Sequence, residues 1–206
     1  MKPISLFVLL ASTAIALPTP AIAQKTPQRL FCEGHIYWGQ GGYGQAVMAF
    51  SQAIKLNPRY AEAYFFRGLS HHEKGNYVAA IQNYNQALVL GYPRRDLIYK
   101  DRGHAFALIG DYKQAFEDLK LALSMKRDED NYWAFAVVNF MNGNRQEAIR
   151  IGQKMAEKYY QSGERSSYVT AQEVIKIFRT APTNRMPEGF SWLTSPHFAQ
   201  PQTSCP

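Results

Sequence analysis

Cysteine is scarce in this sequence: Cys32 and Cys205 are the only two in 206 residues. They stand far apart, so no paired-cysteine metal motif can form. Other chemical signatures are also missing, including a nucleophile elbow and a phosphate-binding loop. His71-His72-Glu73 has the start of a zinc-protease motif, but Gly75 and Asn76 stand four residues beyond the two histidines. No ligand face results, and no metal or other cofactor is expected. There is no block of like charge either. The 23 Lys and Arg are scattered among 16 Asp and Glu, for a net charge of +7. Such a pattern does not ask for nucleic acid as a partner. The one long apolar run, residues 4–17, falls short of the roughly 20 residues of a spanning helix, so no stable membrane span is expected.

That run has another reading. Lys2 precedes it, and Ala21-x-Ala23 follows it, which together give the charged start, apolar middle and small-residue cleavage site of a secretory signal peptide. Residues 1–23 are therefore expected to be removed, leaving a chain that begins at Gln24, carries a charge of +6 and works in an exported compartment such as the periplasm. Both cysteines would meet oxidising conditions there.

What the chain does have is internal repetition. Gly68, Gly75, Tyr77, Ala80, Tyr84 and Ala87 recur 34 residues earlier as Gly34, Gly41, Tyr43, Ala46, Phe50 and Ala53. They recur 35 residues later as Gly103, Gly110, Tyr112, Ala115, Leu119 and Ala122. A fourth copy, Ala136, Gly143, Arg145, Ala148, Gly152 and Met155, is degenerate, and Gly152 in place of a bulky residue predicts looser packing there. A period of this length marks stacked helix pairs, each unable to bury its apolar face alone. Turn glycines end each first helix, small Ala80 and Ala87 let helices approach, and Tyr64, Tyr99 and Tyr132 are expected to fill space beside Gly68, Gly103 and Ala136. Gly39-x-Gly41-x-x-Gly44 spells a dinucleotide fingerprint, but the repeat register makes it a helix–helix turn rather than a strand–helix one.

These residues, with Pro93 closing the second copy, resemble the tetratricopeptide repeat family. The resemblance implies an all-α, right-handed superhelix of about four repeats, over 27–60, 61–95, 96–128 and 129–162. The remaining chain reads as a capping helix over 163–180, with Thr170 and Glu173 at capping-box spacing, and a Pro-rich tail over 181–206.

In that family the first helices of successive repeats line a concave groove for peptides. Carried across, the groove positions are Phe31, Cys32, His35 and Trp38; Phe65, Leu69 and His72; Lys100, Asp101 and His104; and Trp133, Val137 and Phe140. An aromatic and apolar groove suits an apolar segment, because exposed apolar stripes mark partner sites. The alternative is that Trp133 and Phe140 bury against neighbouring helices, or that the tail covers them. Cys32 and Cys205 form a candidate disulfide, within reach of an extended tail. Such a bridge would lay Phe190, Trp192 and Phe198 along the groove; Cys205 pairing between chains is the other outcome.

The sequence thus points to a non-catalytic exported scaffold, monomeric or weakly associating, that captures a protein or peptide segment. The competing reading is a basic structural protein held to the anionic envelope surface.

Overall fold

The computed structural model describes residues 25–183. The expected signal segment 1–23, most of the tail and Cys205 lie outside the described residues. Within them the chain forms nine helices and no strand. The first pair is α1 (Pro27–Gly39) and α2 (Tyr43–Leu56), and the second is α3 (Ala61–Glu73) and α4 (Tyr77–Val89). Then come α5 (Arg95–Leu108) with α6 (Tyr112–Met125), α7 (Glu129–Met141) with α8 (Arg145–Ser162), and a final helix α9 (Arg165–Thr180). This is an all-α solenoid, in which every helix packs on the next along the chain.

Local chemistry sets the helix ends. Thr26 caps α1 by accepting from Arg29 N at 3.1 Å, and Pro27 follows at a first-turn position where its missing N–H costs nothing. Asp128 caps α7 in the same way, accepting from Asn131 N at 3.0 Å, with Glu129 and Asp130 in the positive first turn. The C-terminal end of α3 shows how the pairs turn. Gly75 has φ +75°, its N–H bonds His72 O at 2.8 Å, and Asn76 N–H bonds His71 O at 2.9 Å. That is a Schellman stop, which needs a residue at ease in the left-handed region. Gly41, Gly110 and Gly143 repeat it in the other pairs.

The repeated small residue of each first helix receives a side chain from its own second helix. A Cβ on Gly68 would lie 2.7 Å from Tyr84 Cε1, and one on Gly34 would lie 2.7 Å from Phe50 Cε1. At Gly103 the corresponding neighbour is Leu119 Cγ at 3.0 Å. The tyrosines expected to fill these spaces do something else. Tyr64 and Tyr99 lie under guanidinium groups, 5.3 Å from Arg67 and 5.5 Å from Arg102. The looser packing expected around Gly152 is also absent, because Ile175 of α9 enters there, its Cγ1 2.9 Å from where a Cβ would stand. Thr170 and Glu173 are exposed inside α9, which starts five residues before Thr170 with Glu164 as its cap, so their capping-box spacing has no structural role.

Candidate functional site

The first helices α1, α3, α5 and α7 touch one another in succession, more closely than α2, α4 and α6 touch each other. An array whose first helices approach more closely than its second helices curves toward the first-helix side. That concave side carries three rows, one residue per repeat. They are Phe31, Phe65, Lys100 and Trp133; His35, Leu69, His104 and Val137; and Trp38, His72, Ala107 and Phe140.

Most of these residues are buried; His35 and Trp38 are half-buried. At the α1 end Phe31 packs edge-on to Phe66 with centroids 5.5 Å apart, and His35 lies 5.0 Å from the same ring. Phe65 stacks on Tyr92 at 4.7 Å. At the α7 end Trp133 donates to Tyr159 Oη at 3.3 Å, and Phe140 stacks on Phe178 of α9 at 5.1 Å. Phe65 and Phe140 are thus fully buried within the array, and Trp133 nearly so. The apolar stripe is a floor rather than a row of protruding anchors.

The middle of the face is polar. Lys100 and Asp101 are both buried, with Nζ 4.0 Å from Oδ1, and His104 is buried one turn on. Asp101 Oδ1 has no hydrogen-bond partner. Burial pushes the Asp101 carboxyl up to about 7, with Lys100 acting against the shift and Glu73 adding to it. Burial holds His72 down at about 4, so it is neutral at physiological pH. Glu73 and His104 each take part in a further interaction, as do Cys32 and His35. Cys32 is disulfide-bonded; the pairing expected with Cys205 falls outside the described residues.

The Arg-Gly pairs at 67–68 and 102–103, which resemble a variant of the family's first helix, have partners that the sequence reading did not identify. Arg67 donates from Nε to Asn83 Oδ1 at 2.8 Å and from Nη1 to Ser51 Oγ at 3.0 Å. One repeat on, Arg102 binds Asp118 with two bonds of 2.7 Å and reaches Asn85 Oδ1 at 2.5 Å. Each arginine ties the second helix of its own repeat to that of the repeat before. Arg-Gly at 67–68 and 102–103, matched by Asn83 and Asp118 at the same spacing, was the signal available in the sequence.

A family model described as tetratricopeptide repeat matches residues 33–91, which hold the turns at Gly41 and Gly75 and both glycine–ring contacts of the first two pairs. Over these residues the first two helix pairs match the tetratricopeptide repeat. Tetratricopeptide repeat protein 36 of Danio rerio is 41% identical over 59 residues, which are 29% of this chain and 31% of that protein. The chain therefore spans under a third of the length of that relative. Among solved structures, MamA superposes with a TM-score of 0.57 at 24% identity, over 66% of this chain and 79% of that one. YrrB, titled a TPR protein with an unusual peptide-binding site, gives 0.53 at 15% identity, over 74% and 86%. At these identities the likeness is one of fold. Tetratricopeptide repeats serve in general as scaffolds for protein–protein contacts. Among the described residues no helix is long and apolar enough to cross a membrane, and no group of three or more His, Cys, Asp or Glu could hold a metal ion.

Proposed function

We propose that the chain is an exported, non-catalytic scaffold that captures an extended protein or peptide segment on its concave face. The observation that carries this reading is the buried Lys100–Asp101 pair on α5, in the middle of the face. A tetratricopeptide array needs no charge there for its own packing, and burying one is costly without a hydrogen-bonding partner. A bound segment supplies that partner. The chemistry of the face fits a segment with a hydrogen-bond donor opposite Asp101 and apolar side chains toward α3 and α7. YrrB lends support as a tetratricopeptide fold with a peptide-binding site. Export rests on the N-terminal charge, apolar run and Ala21-x-Ala23.

The test is affinity capture by the mature chain from envelope extract, with thiols reduced because Cys32 lies in the face. Lys100→Ala with Asp101→Ala should abolish capture while circular dichroism keeps the helical signal. Capture that is indifferent to both changes would move the binding site elsewhere.

A second reading, adhesion to an anionic envelope surface, is favoured by a basic pocket between α7 and α8. Arg127, Arg150, Lys154 and Lys158 line it around Tyr132. Two of the four are already paired, Arg150 with Glu147 and Lys158 with Glu129, both at 2.6 Å, which weakens the case. Raising salt to about 1 M, where screening acts over roughly 3 Å, would strip charge-driven adhesion and spare capture on a buried face.

A further inference from the structure

We infer that the groove between α6, α7 and α8 is a second docking site, separate from the concave face, for an extended acidic peptide segment that carries an aromatic side chain. Two adjoining hollows make the groove, and they share Arg127 and Tyr132. One runs between α7 and α8 over Ile151 and Met155 and encloses about 270 Å³. The other opens toward Lys120 and Leu123 of α6. Small-molecule sites take about 300–1,000 Å³, so the first hollow suits a single ring-sized group on a longer chain.

The ion pairs of the groove leave it a positive surplus. Both oxygens of Glu129 are engaged, Oε1 by Lys158 at 2.6 Å and Oε2 by Tyr159 at 2.8 Å. Both oxygens of Asp128 are engaged as well, one by Asn131 N at 3.0 Å and the other by Lys126 at 2.8 Å. Among the described residues Lys120, Arg127 and Lys154 take part in no ion pair, and all three are exposed. Lys154 Nζ instead lies 5.8 Å from the centroid of the Tyr132 ring. An incoming carboxylate therefore finds unpaired cations on both rims, and lining carboxylates that a cation already neutralises.

The packing of a repeat does not ask for these cations. Arg150, Lys154 and Lys158 stand about one turn apart on α8, along roughly 12 Å of helix. The equivalent positions are Glu117, Leu121 and Met125 in the third repeat, and Gln82, Gln86 and Leu90 in the second. The aromatic floor is also particular to the fourth repeat. Tyr64 and Tyr99 are covered by Arg67 and Arg102, but Phe135 stands at that arginine position, which leaves the Tyr132 ring to Lys154. An extended peptide covers roughly 12 Å in about four residues, so its carboxylates meet successive cations while a neighbouring ring enters over Tyr132. An anionic glycan fits less well, because its hydroxyls would face Ile151 and Met155 without hydrogen-bond partners. A bilayer fits less well too, because Ile151 and Met155 are buried and cannot insert into it.

The test is fluorescence anisotropy of a dye-labelled peptide of glutamates around one phenylalanine, titrated with the full chain. The peptide should bind, and Arg127→Gln with Lys154→Gln should weaken it roughly tenfold, the loss of two exposed charge contacts together. Lys74→Gln with Lys113→Gln removes the same charge from exposed positions outside the groove and should leave the affinity unchanged. Replacing the glutamates with glutamines, or the phenylalanine with serine, should each weaken binding. No binding, equal losses in the two double variants, or indifference to either peptide change would overturn the proposal. So would displacement of the peptide by dextran sulfate or phosphatidylglycerol vesicles at lower concentration than by unlabelled peptide. Methyl NMR of the unmutated chain gives a readout that does not depend on how the variants fold. The peptide should shift the methyl signals of Ile151 and Met155, and shifts confined to other methyl groups would overturn the proposal. Capture on the concave face turns on Lys100 and Asp101, so either site can fail while the other stands.

Discussion

Close contacts at single residues carry the sharpest predictions. Gly68 is pressed by the Tyr84 ring at 2.7 Å, so Gly68→Ala should cost about 1–3 kcal/mol in urea unfolding by overpacking a contact that has no slack. Gly152→Ala should behave likewise against Ile175, at a site where the sequence reading expected spare room. Phe65→Ala and Trp133→Ala should each cost about 3–5 kcal/mol, because both side chains are buried against other helices. Two buried titrating groups oppose each other with pH. His72 has a folded value of about 4 against an ordinary 6.5, so the unfolded chain binds more protons between those values and stability rises with pH. Asp101 has a folded value of about 7 against an ordinary 3.8, so the folded chain binds more protons and stability falls with rising pH over that window. Between pH 4 and 6.5 the two slopes cancel in part. Asp101→Asn should leave the His72 slope exposed, with stability rising by up to about 1.4 kcal/mol per pH unit, and His72→Gln should leave the opposite slope. Chemical unfolding at three pH values reads both signs; parallel profiles in the two variants would contradict this.

The helices were largely legible in the sequence, and the reasons are local. Glycines that demand positive φ, such as Gly75, mark the stops, and small–large pairs such as Gly68 and Tyr84 recur at fixed offsets. Which helix fills which gap was not legible, because spacing alone does not say whether Tyr64 or Tyr84 points at Gly68. The role of α9 was hidden for a similar reason. Gly152 looks like a defect until Ile175, from the next helix, is placed in it. In the candidate site the residues fall on successive first helices, as the family register implies, yet their burial depends on neighbours that no single helix pattern reveals. The inter-repeat arginines give a prediction at this scale. Arg102→Ala leaves the Asp118 carboxylate, which is buried, without its bidentate partner and should cost about 3–5 kcal/mol. Arg67→Ala, which strands only neutral Asn83 and Ser51, should cost about 1–3 kcal/mol. Urea curves with unchanged slopes and ordered midpoints check this; equal losses would mean that the charge adds nothing.

As a whole molecule the chain is a short curved stack with an apolar end at α1, a charged centre at α5 and an apolar end at α7. Its basic residues are interspersed with acidic ones along the sequence, and the proposed function lies on the concave face rather than in net charge. The most direct test of that assignment is site-specific photocrosslinking in the cell envelope, with a photoreactive side chain placed at one position at a time. Positions 35, 38 and 73 lie on the first helices, and positions 48, 82 and 89 are exposed on second helices. With the thiols reduced, the first set should crosslink a protein partner and the second should not. Crosslinks confined to positions 48, 82 and 89 would place the partner on the outer surface and contradict the account.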